Sequence, residues 1–254
     1  MPTLRAYILA TLCLVLTLCL MPVQWLLGQL GSTHANAVSK FYLWSVCKIL
    51  GVKIIVEGAL EKTPSLIIAN HVSWLDIPVI GAIWPVFFVA KKEVGTWPMI
   101  SSLAKMQNTI FVDRNRRQSV LVSRNEIRHR IMRGDTVVLF PEGTSNNGRE
   151  VLPFKSTFFS VVENTALPAV PITLVYESQQ GLPMMRRQRP SVAWVGDTEM
   201  LPHLWNLFKA GPITVRIIVH APCVPENRKV MSSKAHSMIK TTLVETLHAR
   251  AKIR

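Results

Sequence analysis

LIIANHVSWLDIPVIGA, residues 66–82, passes from apolar to polar and back to apolar. Leu66–Ala69 is a short apolar run of the composition expected for a buried strand. The run ends in Asn70 and His71, Asp76 follows five residues after the histidine, and the chain then turns apolar again. Pro78 suits the start of a helix, and Ser73 or Asp76 suits its cap. The stretch predicts a strand, a polar loop and a helix. Five helical residues rotate by about 500°, so His71 and Asp76 would not share one helical face. They meet if His71 lies in the loop and Asp76 in the first turn of the helix. Asp76 would then fix the imidazole, leaving the other ring nitrogen open to take a proton from a hydroxyl. The alternative is that the pair only ties the loop to the helix.

The same alternation continues outward. SLIIA (65–69), VFFVA (86–90), TIFV (109–112), TVVLF (136–140), AVPITLV (169–175), VAWVG (192–196) and ITVRIIV (213–219) read as buried strands, bounded by Pro, Gly, Asn or charge. Gln118 to Arg133 reads as a helix, with Val120, Ile127 and Ile131 at helical spacing and Gly134 after the last turn. Residues 155–166 and the tail from about 226 to 251 also read as helical. Strands alternating with helices give an α/β fold around a mostly parallel sheet.

The chain has 254 residues, 49% hydrophobic, with 29 Lys and Arg against 15 Asp and Glu. A net charge of +14 calls for an anionic partner, either nucleic acid or an anionic membrane surface. The mean hydropathy of +0.26 favours the membrane. Residues 6–27, AYILATLCLVLTLCLMPVQWLL, carry no charge. As a helix they would reach about 33 Å, enough to cross a hydrocarbon core. Pro22 and Gly28 offer the other anchor, a shallow hairpin with the next segment, VSKFYLWSVCKILGVKIIVEG, whose lysines among aromatics suit an interface. Residues 1–56 are therefore expected to anchor the protein and 57–254 to form its main domain, on the cytoplasmic side by the positive-inside rule. Cys13, Cys19, Cys47 and Cys223 read as small hydrophobes in a reducing compartment. Neither they nor the seven histidines show metal-ligand spacing.

Polar clusters follow three of the strands: NHVSWLD, VDRNRR and PEGTSNNGR. Ligands of open α/β sheets bind at strand ends, so their coincidence outweighs any one of them. Arg114, Arg116 and Arg117 suit an anion, or form a basic rim against lipid headgroups. Glu142, Gly143 and Thr144 suit a polyol or an arginine, or form an ordinary turn.

Together, Asn70-His71-x4-Asp76, Phe111-Val112-Asp113-Arg114, Phe140-Pro141-Glu142-Gly143-Thr144 and Val170-Pro171-Ile172 resemble the glycerolipid acyltransferase family, the 1-acylglycerol-3-phosphate acyltransferases and their relatives. The resemblance covers about residues 50–220. It implies His71 as general base on the acceptor hydroxyl, Asp76 as its orienting partner, and direct attack on an acyl-carrier-protein or acyl-CoA thioester. It implies that Arg114, Glu142, Gly143 and Thr144 position the acceptor's head and that Pro171 lines the site. No cofactor or metal is implied, and the place is the inner, cytoplasmic membrane. The acceptor it implies first is 1-acyl-sn-glycerol-3-phosphate. One position departs: glycerophosphate-using members commonly carry Arg after Glu-Gly-Thr, where this chain has Ser145. Losing a charge-assisted partner costs about 1.5–3 kcal/mol, roughly 10- to 150-fold in affinity, unless Arg116 or Arg149 substitutes. TSNNGREVLPFKS and GDTEMLPHLWNLFKAGPI look similar to bacterial relatives that acylate lyso-ornithine lipid, whose amino-acid head is zwitterionic and free of phosphate.

Three other classes fit the sequence less well. A non-catalytic membrane-tethered module would leave the clustering of His71, Asp76 and Glu142 without a purpose. A hydrolase lacks a Gly-x-Ser-x-Gly elbow or a His-Glu-x-x-His helix. A nucleic-acid binder lacks a recognised module, since the seven Trp and three Tyr fall mostly in apolar runs.

Overall fold

The computed structural model describes residues 2–32, 34–61, 65–97, 100–113, 117–196 and 198–251. In chain order the elements are α1 (Pro2–Gln29), α2 (His34–Leu50), β1 (Val52–Glu57), β2 (Leu66–Ala69), α3 (Asp76–Ile83), β3 (Val86–Lys91), α4 (Ile100–Met106), β4 (Ile110–Val112), α5 (Arg117–Met132), β5 (Thr136–Leu139), β6 (Ala169–Gln179), β7 (Leu182–Pro183), α6 (Met200–Ala210), β8 (Ile213–Val219) and α7 (Arg228–Ala251). The strands form one sheet in the order β1-β8-β6-β2-β5-β3-β4, with β7 beside β6. Pairing is parallel except where β6 meets β7 and β8.

The central strands are apolar on both faces because both faces are covered, as parallel sheets require. Along β2, Ile67 and Ala69 pack into one core with residues of α2, α3 and α6, while Leu66 and Ile68 pack into a second with residues of α5 and α7. This is a sheet between two helical layers, the α/β architecture expected.

Three readings differ from the structure. VKIIVE within the interfacial segment is strand β1, paired in parallel with β8 from Val52↔Ile213 onward. Helix α2 ends at Leu50 and the chain turns at Gly51, whose φ of +75° a side chain would resist. VAWVG is not a strand. The N–H groups of Val192 and Ala193 bond back to Arg189, and that of Trp194 bonds to Val72, so its first three residues form no ladder. Residues 155–166 form only a short 3-10 helix over Ser156–Val161. Its β-branched and aromatic residues are poor α-helix formers.

Helix α1 continues through Pro22 to Gln29, and the turn comes at Leu30 and Gly31. It is long and apolar enough to cross a membrane. Its first half nevertheless lies on the domain: Arg5 donates to the carbonyls of Phe208 and Leu50, Tyr7 meets Trp205 edge-on, and Leu9, Ala10 and Cys13 pack on the core. Farther along, the hydroxyls of Thr17 and Tyr42 bond at 3.0 Å, joining α1 to α2. Leu12, Val15, Leu18, Trp25 and Leu26 face outward. All four cysteines are free.

Candidate active site

The site forms where β2 and β5 end side by side. Asn70 closes β2 by bonding the main chain of β6 through its side chain: Nδ2 donates to the Leu174 carbonyl at 3.0 Å, and Oδ1 accepts from the Leu174 N–H at 2.8 Å. An amide that imitates a strand's own ladder stops the strand and leaves the next residue, His71, in the loop.

The His71 ring stacks on Phe140 at the end of β5, with centroids 4.2 Å apart. Its Nδ1 lies 2.8 Å from Oδ2 of Asp76, the first residue of α3. Asp76 is fully buried. Oδ2 also accepts from the N–H groups of Val72 at 2.7 Å and Ser73 at 3.0 Å, while Oδ1 accepts from the Tyr176 hydroxyl at 2.6 Å. Four donors make a buried carboxylate tolerable and lock its plane. A carboxylate on Nδ1 places the ring proton there and leaves Nε2 as the basic nitrogen. No described residue hydrogen-bonds Nε2, and the side chain is 18% exposed. Such an imidazole can take a proton from an incoming hydroxyl. No side chain caps α3; Ser73 Oγ instead accepts from the Leu75 N–H at 3.3 Å.

Glu142 is buried beside this pair. Its carboxylate accepts from the His71 N–H at 2.7 Å, the Asn146 side chain at 2.5 Å and the Leu152 N–H at 2.9 Å. It therefore braces the chain's own loops and holds His71 from behind. Burial pushes its pKa up to about 7, against the downward pull of those three bonds. The N–H of Gly143 closes the turn onto Phe140, and Thr144 is exposed. Ser145 donates its hydroxyl to the Trp194 carbonyl, and Trp194 stacks edge-on with Trp97. The loop at 192–196 thus walls the site. Pro171 lies in β6 opposite Ile68. Arg114 and Arg116 lie outside the described residues, and β4 before them is three strands from β2. Asp113 pairs with Lys92 at 3.5 Å. Among the described residues no group of three or more His, Cys, Asp or Glu side chains could hold a metal ion.

Sequence reasoning missed Tyr176, a hundred residues from Asp76 and without motif spacing. The available signal was a phenol in an aliphatic strand, since a buried tyrosine needs a partner for its hydroxyl. It also missed Trp74, inside the opening motif. Trp74 donates its indole N–H to Nδ1 of the buried His203 at 3.0 Å, and His203 Nε2 lies 3.1 Å from the Ala193 carbonyl, tying the loop after β2 to α6.

A family model described as Acyltransferase matches residues 53–175. The chain is 34% identical over 259 residues to a lyso-ornithine lipid O-acyltransferase of Brucella abortus, covering 98% of this chain and 97% of that one. The chain belongs to the acyltransferase family. This acyltransferase is also 30% identical over 184 residues to a 1-acyl-sn-glycerol-3-phosphate acyltransferase of Neisseria meningitidis, covering 71% of this chain and 69% of the other. Its fold matches the crystal structure of the 1-acyl-sn-glycerophosphate acyltransferase of Thermotoga maritima, with a TM-score of 0.70 at 19% identity over 96% and 94% of the two chains.

Proposed function

We propose that this acyltransferase moves a fatty acyl group from an acyl thioester, carried by acyl carrier protein or coenzyme A, to the free hydroxyl of a lysolipid. The observation that carries the reading is the His71–Asp76 contact of 2.8 Å with Nε2 open at the mouth of the sheet. The acceptor oxygen attacks the thioester carbonyl as Nε2 takes its proton, and Asp76 stabilises the imidazolium. The carbon–sulfur bond then breaks, and the thiolate recovers that proton from the ring. The acceptor supplies the nucleophile, so no acyl-enzyme forms. Positioning two chains at one site supplies much of the rate. Glu142, Gly143 and Thr144 shape the acceptor's seat, Glu142 through the loop it braces, and Arg114 joins them on the acceptor's head by the family pattern alone.

The acceptor we propose is lyso-ornithine lipid. Two observations support it. The similarity to the Brucella enzyme runs the whole length of both chains, and Ser145, in place of an arginine, turns its hydroxyl into the protein toward Trp194. Lysophosphatidate, ranked first by the sequence pattern, is the second reading, supported by the Neisseria relative.

The anchor we propose is the α1–α2 hairpin, half inserted at the cytoplasmic face of the inner membrane, with the sheet and its helices as the catalytic unit. Helix α1 rests on the domain along much of its length, through Ala6, Leu9 and Ala10 early and the buried Gln24 late, which supports a helix lying against the domain at the membrane surface over one that crosses it. The basic surface suits both anionic lipid and an acidic donor protein.

The test is an assay of the purified full chain in detergent with both lysolipids and both donors. His71→Ala is expected to lose about 10²–10⁴-fold in kcat while keeping its thermal stability. Turnover retained by a folded His71→Ala protein would defeat the mechanism. Free fatty acid in place of acylated lipid would make the protein a hydrolase.

A further inference from the structure

We propose that Arg189, with Arg149 beside it, binds the carboxylate of the acceptor's headgroup. The proposal rests on reading the acceptor as an amino-acid lysolipid. Arg189 lies in a 3-10 turn, Arg186–Ser191, between β7 and the loop that walls the site. The residue is 8% exposed, yet among the described residues its guanidinium bonds only main-chain carbonyls, both from Nη1: Gly148 at 3.0 Å and, more weakly, Asn147 at 3.5 Å. Among the described residues no carboxylate pairs with it. Burial, and then the like charge of Arg149, lower the pKa of Arg189. A buried cation without a counter-ion is unfavourable unless an anion completes the set.

The location fits the acceptor. A Cβ placed on Gly148 would meet Val72 Cγ1 at 3.0 Å and Arg189 Nη1 at 3.2 Å. The guanidinium and Val72 therefore adjoin across this one glycine, and Val72 is the residue after His71. The turn that carries Gly148 is tied to the same loop, since the Asn146 N–H bonds to the His71 carbonyl. A guanidinium offers five N–H donors in a planar fork that suits a carboxylate in two-point contact. Here the carbonyl bonds occupy only Nη1. The cation missing at Ser145 is thus supplied from the turn that leads into the loop Ser145 bonds, at a position suited to an amino-acid head.

The experiment uses the purified full chain with three acceptors: lyso-ornithine lipid, its carboxyl methyl ester, and lysophosphatidate. Wild type is expected to show a KM for the ester about 10- to 150-fold above that for the acid, the loss of one charge-assisted contact. Arg189→Gln is expected to raise KM for the acid by a similar factor, with kcat within about threefold and KM for the ester unchanged. Arg189→Lys, which keeps the charge and loses the fork, should fall between. Equal KM values for acid and ester in wild type would overturn the carboxylate assignment alone, whatever the variants do. Equal losses on acid and ester in Arg189→Gln would make the arginine a structural brace and also overturn it. Wild type that accepts only lysophosphatidate would refute the acceptor reading, and the assignment with it.

Discussion

The Tyr176 hydroxyl donates to Asp76 on Oδ1, the oxygen His71 does not use, at 2.6 Å. Burial, and then the adjacent carboxylate charge, raise the Tyr176 pKa well above its ordinary value, so the phenol keeps its proton and remains a donor. With Oδ1 held, the carboxylate cannot swing, and Oδ2 stays in line with Nδ1 of His71. Tyr176→Phe should lower kcat about tenfold with KM nearly unchanged, and cost about 1–3 kcal/mol of stability, because Oδ1 is left buried and unpaired. Steady-state kinetics separates the two parameters; an unchanged kcat would reduce Tyr176 to packing.

The histidine end of the site was legible because its determinants are local. Leu66–Asp76 contains the strand, the Asn70 stop and both members of the pair, all within eleven residues. The parallel, doubly covered sheet was legible for a similar reason: β2 is apolar at every position, and β5 at every position after Thr136. Strand β1 was hidden because its lysine and glutamate, at a sheet edge, copy an interfacial pattern. The loop at 192–196 was misread because five apolar residues cannot show where their N–H groups bond, and here one bonds to Val72. The direction of Glu142 was equally invisible. A Glu-Gly turn has the same sequence whether the carboxylate faces a substrate or the main chain of His71.

Glu142 makes stability depend on pH in a stated direction. Its carboxyl has an ordinary pKa of 4.5 and in the folded protein is pushed up to about 7. Between these values the folded state holds a proton that the unfolded state has lost. The contribution of Glu142 to stability therefore falls as pH rises from 4.5 to 7, at most about 1.4 kcal/mol per pH unit, and is level above 7. Melting temperatures of wild type and Glu142→Gln across pH 4.5–8 should diverge in that window only, with wild type losing ground as pH rises. A difference independent of pH would show that the three donated bonds outweigh burial.

Gly148 permits the close approach of Arg189 to the loop that carries His71. Its φ is +69°, and an added Cβ would press on Val72 and Arg189. Gly148→Ala should cost about 1–2 kcal/mol from backbone strain alone. It should also raise KM for the acceptor, by pushing the guanidinium off the turn. Thermal unfolding and acceptor titration check the two effects separately; a variant with wild-type stability and KM would mean the turn yields freely.

Ser145 is where acceptor choice should be reversible. Its hydroxyl is held by the Trp194 carbonyl, so the position faces the wall of the site at the end of the Glu-Gly-Thr turn. Ser145→Arg removes that bond, a loss of about 1 kcal/mol, and introduces a fork suited to phosphate. If headgroup charge near this turn sets the acceptor, kcat/KM for lysophosphatidate should rise about tenfold or more in the variant. That for lyso-ornithine lipid should fall, because a new cation crowds the zwitterionic head. Competition between the two acceptors in one mixture reads the ratio directly and cancels differences in the active fraction of enzyme. An unchanged ratio would place the discrimination elsewhere, in the turn that carries Arg189.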